Sequence, residues 1–267
     1  MNSIVCVKEI MDPELPPESF EIDPTRNIVL SPDSITHVLS PFDENAVEAA
    51  LRIKDSCGGK ITILSLGNNL RREVVKKPLS MGADEVILLE DEAFVDGDSW
   101  STALALSQAI NKIGDYDLIL CGRQAGDWDA GQVGLGIAEI LGLPSITVAR
   151  KIEVIDRKAR VERVTPDGYE MIEISLPALI TVSNEIGQPR YGTIEKLLEA
   201  FPKRPVIWEP EDIGIDPSKI GGRGKKLKLL KLFKPVREGK CEMIEGETLE
   251  EAAINLAQKL REAKVLF

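Results

Sequence analysis

Residues 117–139, DLILCGRQAGDWDAGQVGLGIAE, decide how the rest of the chain is read. Leu118, Ile119, Leu120 and Cys121 have the composition of a buried strand, Gly122 interrupts them, and a polar loop leads into a helix carrying Ile137, Ile140 and Leu141. This is a strand–loop–helix unit. Gly122, Gly126, Gly131 and Gly134 let the backbone turn tightly and approach a ligand, and the following helix aims its first unbonded N–H groups into the same space. Such a place suits a phosphate. Asp127 and Asp129 would repel one, so they are read as capping the helix, binding ribose hydroxyls or orienting the loop. An ordinary βα loop with a glycine-rich helix start satisfies the spacing equally well, because the stretch is neither G-x-G-x-x-G nor a Walker loop.

Working back toward the N-terminus, the same grammar repeats. Residues 3–10 form an apolar, β-branched run suited to a central parallel strand. A proline-rich excursion over 11–39 follows, with Pro13, Pro16, Pro17, Pro24 and Pro32, and 20–22 and 28–30 as short hairpin strands. Ser40, Pro41 and Asp43 then announce a helix: serine as N-cap, proline at the first position and an acid at the third, near a capping box. Ala46, Val47, Ala49, Ala50 and Ile53 supply its apolar face, and Gly58 and Gly59 end it. Residues 60–66 and 85–89 read as strands, 69–82 as a helix broken by Pro78, and 100–113 as a helix capped by Asp98 or Ser99. Strand and helix alternate to Leu143, which predicts an α/β fold with a doubly wound, mainly parallel sheet and its ligand crevice at the carboxyl ends of the strands.

Toward the C-terminus the grammar changes. Residues 145–149 read as a fifth parallel strand, and 151–156, 159–165 and 169–175 alternate apolar with charged side chains around the turn Pro166, Asp167, Gly168, which predicts an antiparallel β-meander. Residues 178–182 return to buried-strand composition. In 184–200 a turn presents Pro189, Arg190 and Tyr191 ahead of a short helix with Ile194; these side chains either form a small docking surface or pack the loop onto the body. From Phe201 the chain, with Pro202, Pro205, Pro210 and Pro217 and then Gly221, Gly222 and Gly224, reads as an extended arm. Residues 225–234, KKLKLLKLFK, suit a segment laid on a partner better than a membrane-surface helix. Thr248 to Glu251 form a capping box for a last helix striped by Leu249, Ala253, Leu256 and Leu260, which needs another surface to pack on. The expected organisation is thus a nucleotide-binding α/β domain over 1–200, including the 184–200 loop, and a C-terminal arm with its terminal helix over 201–267.

The totals exclude several function classes. A formal net charge of −11 over 267 residues argues against a general nucleic-acid or anionic-membrane surface. There is no apolar run of the roughly 18 residues a membrane span needs, and residues 1–9 hold no basic stretch followed by a long apolar one, so a cytoplasmic location is expected. The cysteines Cys6, Cys57, Cys121 and Cys241 show no metal-ligand spacing, and no metal site is expected. The one histidine, His37, has no Ser, Cys or ligand set near it in sequence, so it reads as surface or structural rather than as a catalytic base. No catalytic residue is assigned.

These motifs together resemble the β subunit of an electron transfer flavoprotein, over essentially the whole chain. The resemblance rests on Val7 and Lys8; Ser40, Pro41 and Phe42 with residues 45–50; Met81 to Asp84; Gly122, Arg123, Gln124 and Ala125 with Asp127, Asp129 and Gln132; and Pro189, Arg190 and Tyr191. It implies a heterodimer with an α subunit whose FAD is the redox flavin. Electrons pass between an acyl-CoA-type dehydrogenase and a quinone reductase or other acceptor, and oxidoreductase activity belongs only to the complex, NADH-dependent if it bifurcates electrons. It also implies an adenine nucleotide in the β-subunit crevice, either AMP or a second FAD.

Carried over by motif, the cofactor contacts implied are Cys6, Ser40, Pro41, Phe42, Asp43, Leu66, Gly122, Arg123, Gln124, Ala125, Gly126, Asp127, Trp128, Asp129, Ala130, Gly131, Gln132 and Val133. Asp129, Gln132 and Val133 would lie nearest the phosphates, and Asp127 and Asp129 would then organise the loop. The docking loop implied is 189–200, presenting Pro189, Arg190 and Tyr191 with Ile194 as its apolar anchor. The chain departs from the best-known pattern at Pro13, where several members place an aromatic residue, and at the variable positions Trp128 and Gly131. Arg123 with Gln132, Val133 and Gly134 resembles the type that holds a second FAD, whereas Phe42 resembles the AMP-holding type. A different class of function fits the bare motifs too: an adenine-nucleotide-binding regulatory or nucleotide-hydrolysing α/β protein, with Asp127 and Asp129 holding Mg²⁺.

Overall fold

The computed structural model describes residues 1–30, 35–235, 239 and 241–265. Pro32 of the proline-rich excursion lies outside them. In chain order the elements are β1 (Ser3–Cys6), β2 (Glu9–Met11), β3 (Glu21–Asp23), β4 (Ile28–Leu30), β5 (His37–Leu39), α1 (Pro41–Cys57), β6 (Ile61–Gly67), α2 (Arg72–Val75), α3 (Lys77–Met81), β7 (Glu85–Glu90), α4 (Ser99–Ile113), β8 (Leu118–Gly122) and α5 (Val133–Leu141). They continue with β9 (Ser145–Ile155), β10 (Lys158–Thr165), β11 (Gly168–Ser175), β12 (Ala178–Val182), α6 (Ile194–Ala200), β13 (Val206–Trp208), α7 (Gly221–Gly224) and α8 (Leu249–Glu262).

Among the described residues the main sheet has nine strands in the order β11-β10-β9-β12-β8-β1-β6-β7-β13. From β12 to β13 every neighbouring pair is parallel, as the alternation of strand and helix predicts. Helices cover both faces. Val5, Ile63 and Leu120 point to the layer formed by α1, while Ile4, Leu64 and Ile119 point to the layer holding α4 and α5. Burial on both faces explains why these strands read as unbroken apolar runs rather than as alternation.

Several expectations change in detail. The strand expected over 3–10 divides: β1 stops at Cys6, and β2 turns away to pair antiparallel with β5. The break falls where the Lys8 N–H leaves the sheet to bond the Asp43 carboxylate. The helix expected over 69–82 becomes α2 and α3, with Pro78 in the first turn of α3, where a proline needs no N–H. The fifth parallel strand and the first meander strand are one continuous β9, whose start pairs parallel with β12 and whose end pairs antiparallel with β10. Val148, with φ of 58°, marks the irregularity between the two regimes. Beyond Ala200, β13 adds to β7 as the outer strand, and Ile213, Ile215 and Ile220 are buried against the α4 side of the sheet.

The chain divides into two units, Met1–Leu230 and Lys231–Phe267. The first contains both sheet layers. The second contains α8, whose N-cap Thr248 accepts from the Glu251 N–H at 3.2 Å and whose Leu249, Ile254 and Leu256 are exposed. No described helix is long and apolar enough to cross a membrane.

Candidate functional site

β1 is the point where the winding of the sheet reverses: the chain moves outward to β6 and β7 on one side, then returns to β8 on the other. A crevice outside the carboxyl ends of β1 and β8 is the position where open α/β sheets bind ligands. One residue builds its floor. Asp43, buried at the third position of α1, accepts the Lys8 N–H through Oδ2 at 2.8 Å and the Gly122 N–H through Oδ1 at 3.1 Å, so it ties the helix start to both strand ends. The capping-box reading is therefore corrected. The Ser40 side chain makes no cap bond, and the carboxyl that would have closed the box is turned to the strands. Burial pushes the Asp43 carboxyl up from 3.8 to about 7, against the pull of those two N–H groups.

The glycines matter for different reasons. A Cβ on Gly122 would lie 2.5 Å from Asp43 Oδ1 and 2.7 Å from the Phe42 carbonyl carbon, so only glycine lets α1 sit this close to the end of β8. A Cβ on Gly126 would lie 2.8 Å from Ile10 Cδ1, with Pro41 and Ser40 next, so the loop lies against both the β2 ribbon and the start of α1. Gly134, by contrast, serves packing: its neighbours are Thr181 and Cys121 of the sheet.

Both loop carboxylates are engaged. Lys8 Nζ donates to both Asp127 oxygens at 2.9 and 2.7 Å, and Asp127 Oδ1 accepts the Trp128 N–H at 3.0 Å. Gln124 Nε2 donates to Asp129 Oδ1 at 2.8 Å, and the Asp129 N–H closes a turn onto the Ala125 carbonyl. Neither aspartate caps α5, whose N-cap is Gln132. Of the readings available from sequence, loop orientation is the one their contacts match. Trp128, Ala130 and Gln132 are exposed along the outer loop, Gly131 and Val133 are half-buried, and Leu66 is half-buried at the end of β6.

Among the described residues, Arg123 keeps an unsatisfied buried donor at this rim, beside the buried and equally unpartnered Ser40 hydroxyl. The Arg123 backbone N–H donates to the Val182 carbonyl, its guanidinium lies 4.9 Å from the Phe42 ring centroid, and its Nε is buried without a hydrogen-bond partner. Beneath the loop, Cys6 and Cys121 are buried neighbours in register on β1 and β8. Contact with Cys6, together with burial, holds the Cys121 thiol well above its usual range. The fold thus brings Cys6, residues 40–43 and the 122–133 loop to one rim.

Pro189, Arg190, Tyr191 and Ile194 lie elsewhere, on the α1 side of the sheet. Tyr191 is 91% exposed and Ile194 78%, so neither packs the loop onto the body. The Arg190 guanidinium instead turns inward to Glu48 of α1. Lys8, just past a strand end on the crevice side, and Glu48, within the 45–50 helix motif, both belong to the motifs that carry the resemblance; their contacts to Asp127 and Arg190 had no local sequence signal, because the partners lie far away in the chain.

A family model described as Electron transfer flavoprotein domain matches residues 28–210. A protein named Caffeyl-CoA reductase-Etf complex subunit CarD, from Acetobacterium woodii, is 38% identical over 267 residues, covering 100% of both chains. An Electron transfer flavoprotein subunit beta from Thermoanaerobacterium thermosaccharolyticum is also 38% identical with the same coverage. An Acryloyl-CoA reductase electron transfer subunit gamma from Anaerotignum propionicum is 32% identical over 273 residues, again covering 100% of both. The order of the motifs, the reversal point of the sheet and these full-length relatives agree: the chain belongs to the electron transfer flavoprotein family, among its beta subunits.

Proposed function

We propose that this chain is the nucleotide-holding, partner-docking half of a two-subunit electron carrier. An α subunit would hold most of the redox FAD, while this chain would hold an adenine nucleotide outside β1 and β8. The observation that carries the nucleotide is the buried Arg123 Nε without a partner. An unsatisfied buried donor costs about 1–3 kcal/mol, which an oxygen-rich anion in the crevice would offset.

The chain's own residues supply binding and shape. The first N–H groups of α5, with the positive end of its dipole, favour phosphate. Gln132 adds a side-chain amide at that helix end. Lys8 neutralises Asp127, and Gln124 turns Asp129 toward the loop, so neither carboxylate has to face phosphate. Asp43 fixes the distance between the two strand ends and the helix start. A bound flavin supplies one- and two-electron redox chemistry, and the protein's part is to place and insulate it.

For the nucleotide we favour a second FAD over AMP, since Arg123 and the Gln132, Val133, Gly134 sequence belong to the loop that would touch it directly. A second flavin is what electron bifurcation requires. For partners, the reading is an acyl-CoA-type dehydrogenase on the Tyr191–Ile194 side and a quinone reductase or other acceptor. Two relatives named as parts of caffeyl-CoA and acryloyl-CoA reductase assemblies favour an oxidoreductase of CoA thioesters.

Co-expression with the α subunit, followed by purification, tests this. A yellow heterodimer reducible by such a dehydrogenase, with two FAD per pair, is the expected result. One FAD plus one AMP would keep the carrier and remove bifurcation. A colourless monomer that pairs with no α subunit would overturn the reading.

A further inference from the structure

Glu48 is a buried carboxylate of α1, between the buried Val47 and Ala49 and with Asn45 and Arg52 one turn to either side. Burying a charge is costly unless it is fully paired, and this one is paired. Its Oε2 accepts the Arg190 backbone N–H at 3.1 Å and Arg190 Nε at 2.9 Å, while its Oε1 accepts Arg190 Nη2 at 3.2 Å and Arg52 Nε at 2.8 Å. Arg52 also donates to the Ile186 carbonyl at 2.7 Å, and Arg190 reaches Asp55 at 2.8 Å. Burial alone would push the Glu48 carboxyl up, but the Arg190 and Arg52 guanidiniums more than offset it and hold it below 4.5.

All of these contacts converge on the segment that precedes α6. A few residues later the segment is held again. A Cβ on Gly192 would lie 2.7 Å from the Ser80 carbonyl oxygen, so the backbone there touches α3 directly. Between the two anchor points stands Tyr191, and just beyond them Ile194, Leu197, Leu198 and Phe201 project from a seven-residue helix. A helix that short is not stable by itself. Its far end is held on the body, where Ala200 is buried and Lys76 Nζ donates to the Phe201 carbonyl at 2.9 Å, and the segment leading into it sets where its near end, with Tyr191 and Ile194, stands.

We infer that Glu48 is a positioning residue: through Arg190 it pre-shapes the segment that presents Tyr191 and Ile194 to the electron-donating partner. This rests on the docking role proposed above. A pre-shaped segment loses less conformational freedom on association, so the clamp acts on encounter with the partner and not on flavin chemistry. Glu48 itself is only 4% exposed, so it acts through the Arg190 side chain and backbone that it holds.

The test uses the purified α–β complex with the acyl-CoA-type dehydrogenase as varied substrate, comparing Glu48→Gln, Arg190→Gln, the double variant and Ile194→Ala. Each single change at the clamp should raise KM for the dehydrogenase about tenfold, a change equivalent to one lost preorganising contact. In Glu48→Gln, turnover at saturation and flavin content should stay as in the parent. Because both residues act through one contact, the double variant should also show about a tenfold rise, where independent effects would give about a hundredfold. Amide exchange at Arg190 should speed up in Glu48→Gln, a readout that needs no partner. Should Glu48→Gln fail to assemble, Arg190→Gln, at a half-buried position, carries the same comparison. An unchanged KM in the clamp variants while Ile194→Ala raises it overturns the inference and leaves docking intact. Unchanged KM in all variants overturns the docking reading, and additive effects in the double variant overturn the shared contact.

Discussion

Replacing Gly122 by alanine tests how closely α1 must sit on the strand ends. The added Cβ would lie 2.5 Å from Asp43 Oδ1, 2.7 Å from the Phe42 carbonyl carbon and 2.8 Å from Phe42 Cβ. The last two atoms move only with the helix, so no rotamer change relieves them. One carbon forced into filled space costs about 1–3 kcal/mol. Backing α1 away breaks the 3.1 Å bond from Gly122 N–H to Asp43, which is worth about 0.5–1.5 kcal/mol with Asp43 protonated and about 1.5–3 kcal/mol with it ionised. With Asp43 ionised the sum, about 2.5–6 kcal/mol, is a large share of the 5–15 kcal/mol that usually holds a domain together. Urea unfolding of the purified complex, followed by circular dichroism, measures it, and the nucleotide released on denaturation shows whether the crevice survives. Gly142→Ala provides the comparison: φ there is 64° and no heavy atom lies within 4 Å of an added Cβ, so backbone strain alone should cost roughly 1–2 kcal/mol and leave nucleotide content intact. A Gly122→Ala protein within about 1 kcal/mol of the parent, with its full nucleotide complement, would refute the reasoning.

Three further outcomes are expected. Asp43 has its folded pKa raised from 3.8 to about 7 by burial, so its protonated form favours folding; that contribution is complete below about pH 4 and lost as pH rises through 7. A change of that size amounts to about 4 kcal/mol, and Asp43→Asn should flatten the fall in unfolding free energy between about pH 4 and 7; an unchanged slope would count against the buried-carboxyl assignment. Lys8→Gln removes a half-exposed ion pair and should alter stability by less than about 1 kcal/mol, yet it leaves the Asp127 carboxylate uncompensated at the crevice, so calorimetric affinity for AMP or FAD should fall about tenfold at low salt, and by less at high salt. Ile194→Ala, at a site 78% exposed, should leave unfolding free energy within about 0.5 kcal/mol of the parent while weakening electron exchange with the dehydrogenase; a stability loss beyond 2 kcal/mol would mean the side chain packs on the body after all.

The parallel sheet was legible in the sequence because its strands are buried on both faces, and runs such as ITIL or LILC admit few other placements. Caps and breaks were legible for similarly local reasons: Asp98 caps α4 through Ser101, and Pro78 divides α2 from α3. What could not be read was long-range. Asp43 follows a serine and a proline like any capping acid, and only the arrival of Lys8 and Gly122 from distant parts of the chain turns its carboxyl inward. The same holds for Lys8 with Asp127, which are 119 positions apart, and for Glu48 with Arg190, which are 142 apart. Residues 206–208 were hidden differently: three residues among prolines carry too little pattern to reveal an outer strand on β7. Tyr191 and Ile194 were ambiguous because exposure, which decides between presenting and packing them, is a property of the folded surface.

Mass spectrometry of the purified assembly under native and then denaturing conditions tests most directly whether the rim between β1 and β8 grips an adenine nucleotide in a chain that works only alongside an α subunit. The predicted spectrum shows a one-to-one pair of polypeptides that releases two FAD, with Gly122→Ala releasing one fewer. A single polypeptide, or a pair whose only nucleotide survives every change at Gly122, Asp43 and Lys8, would contradict it.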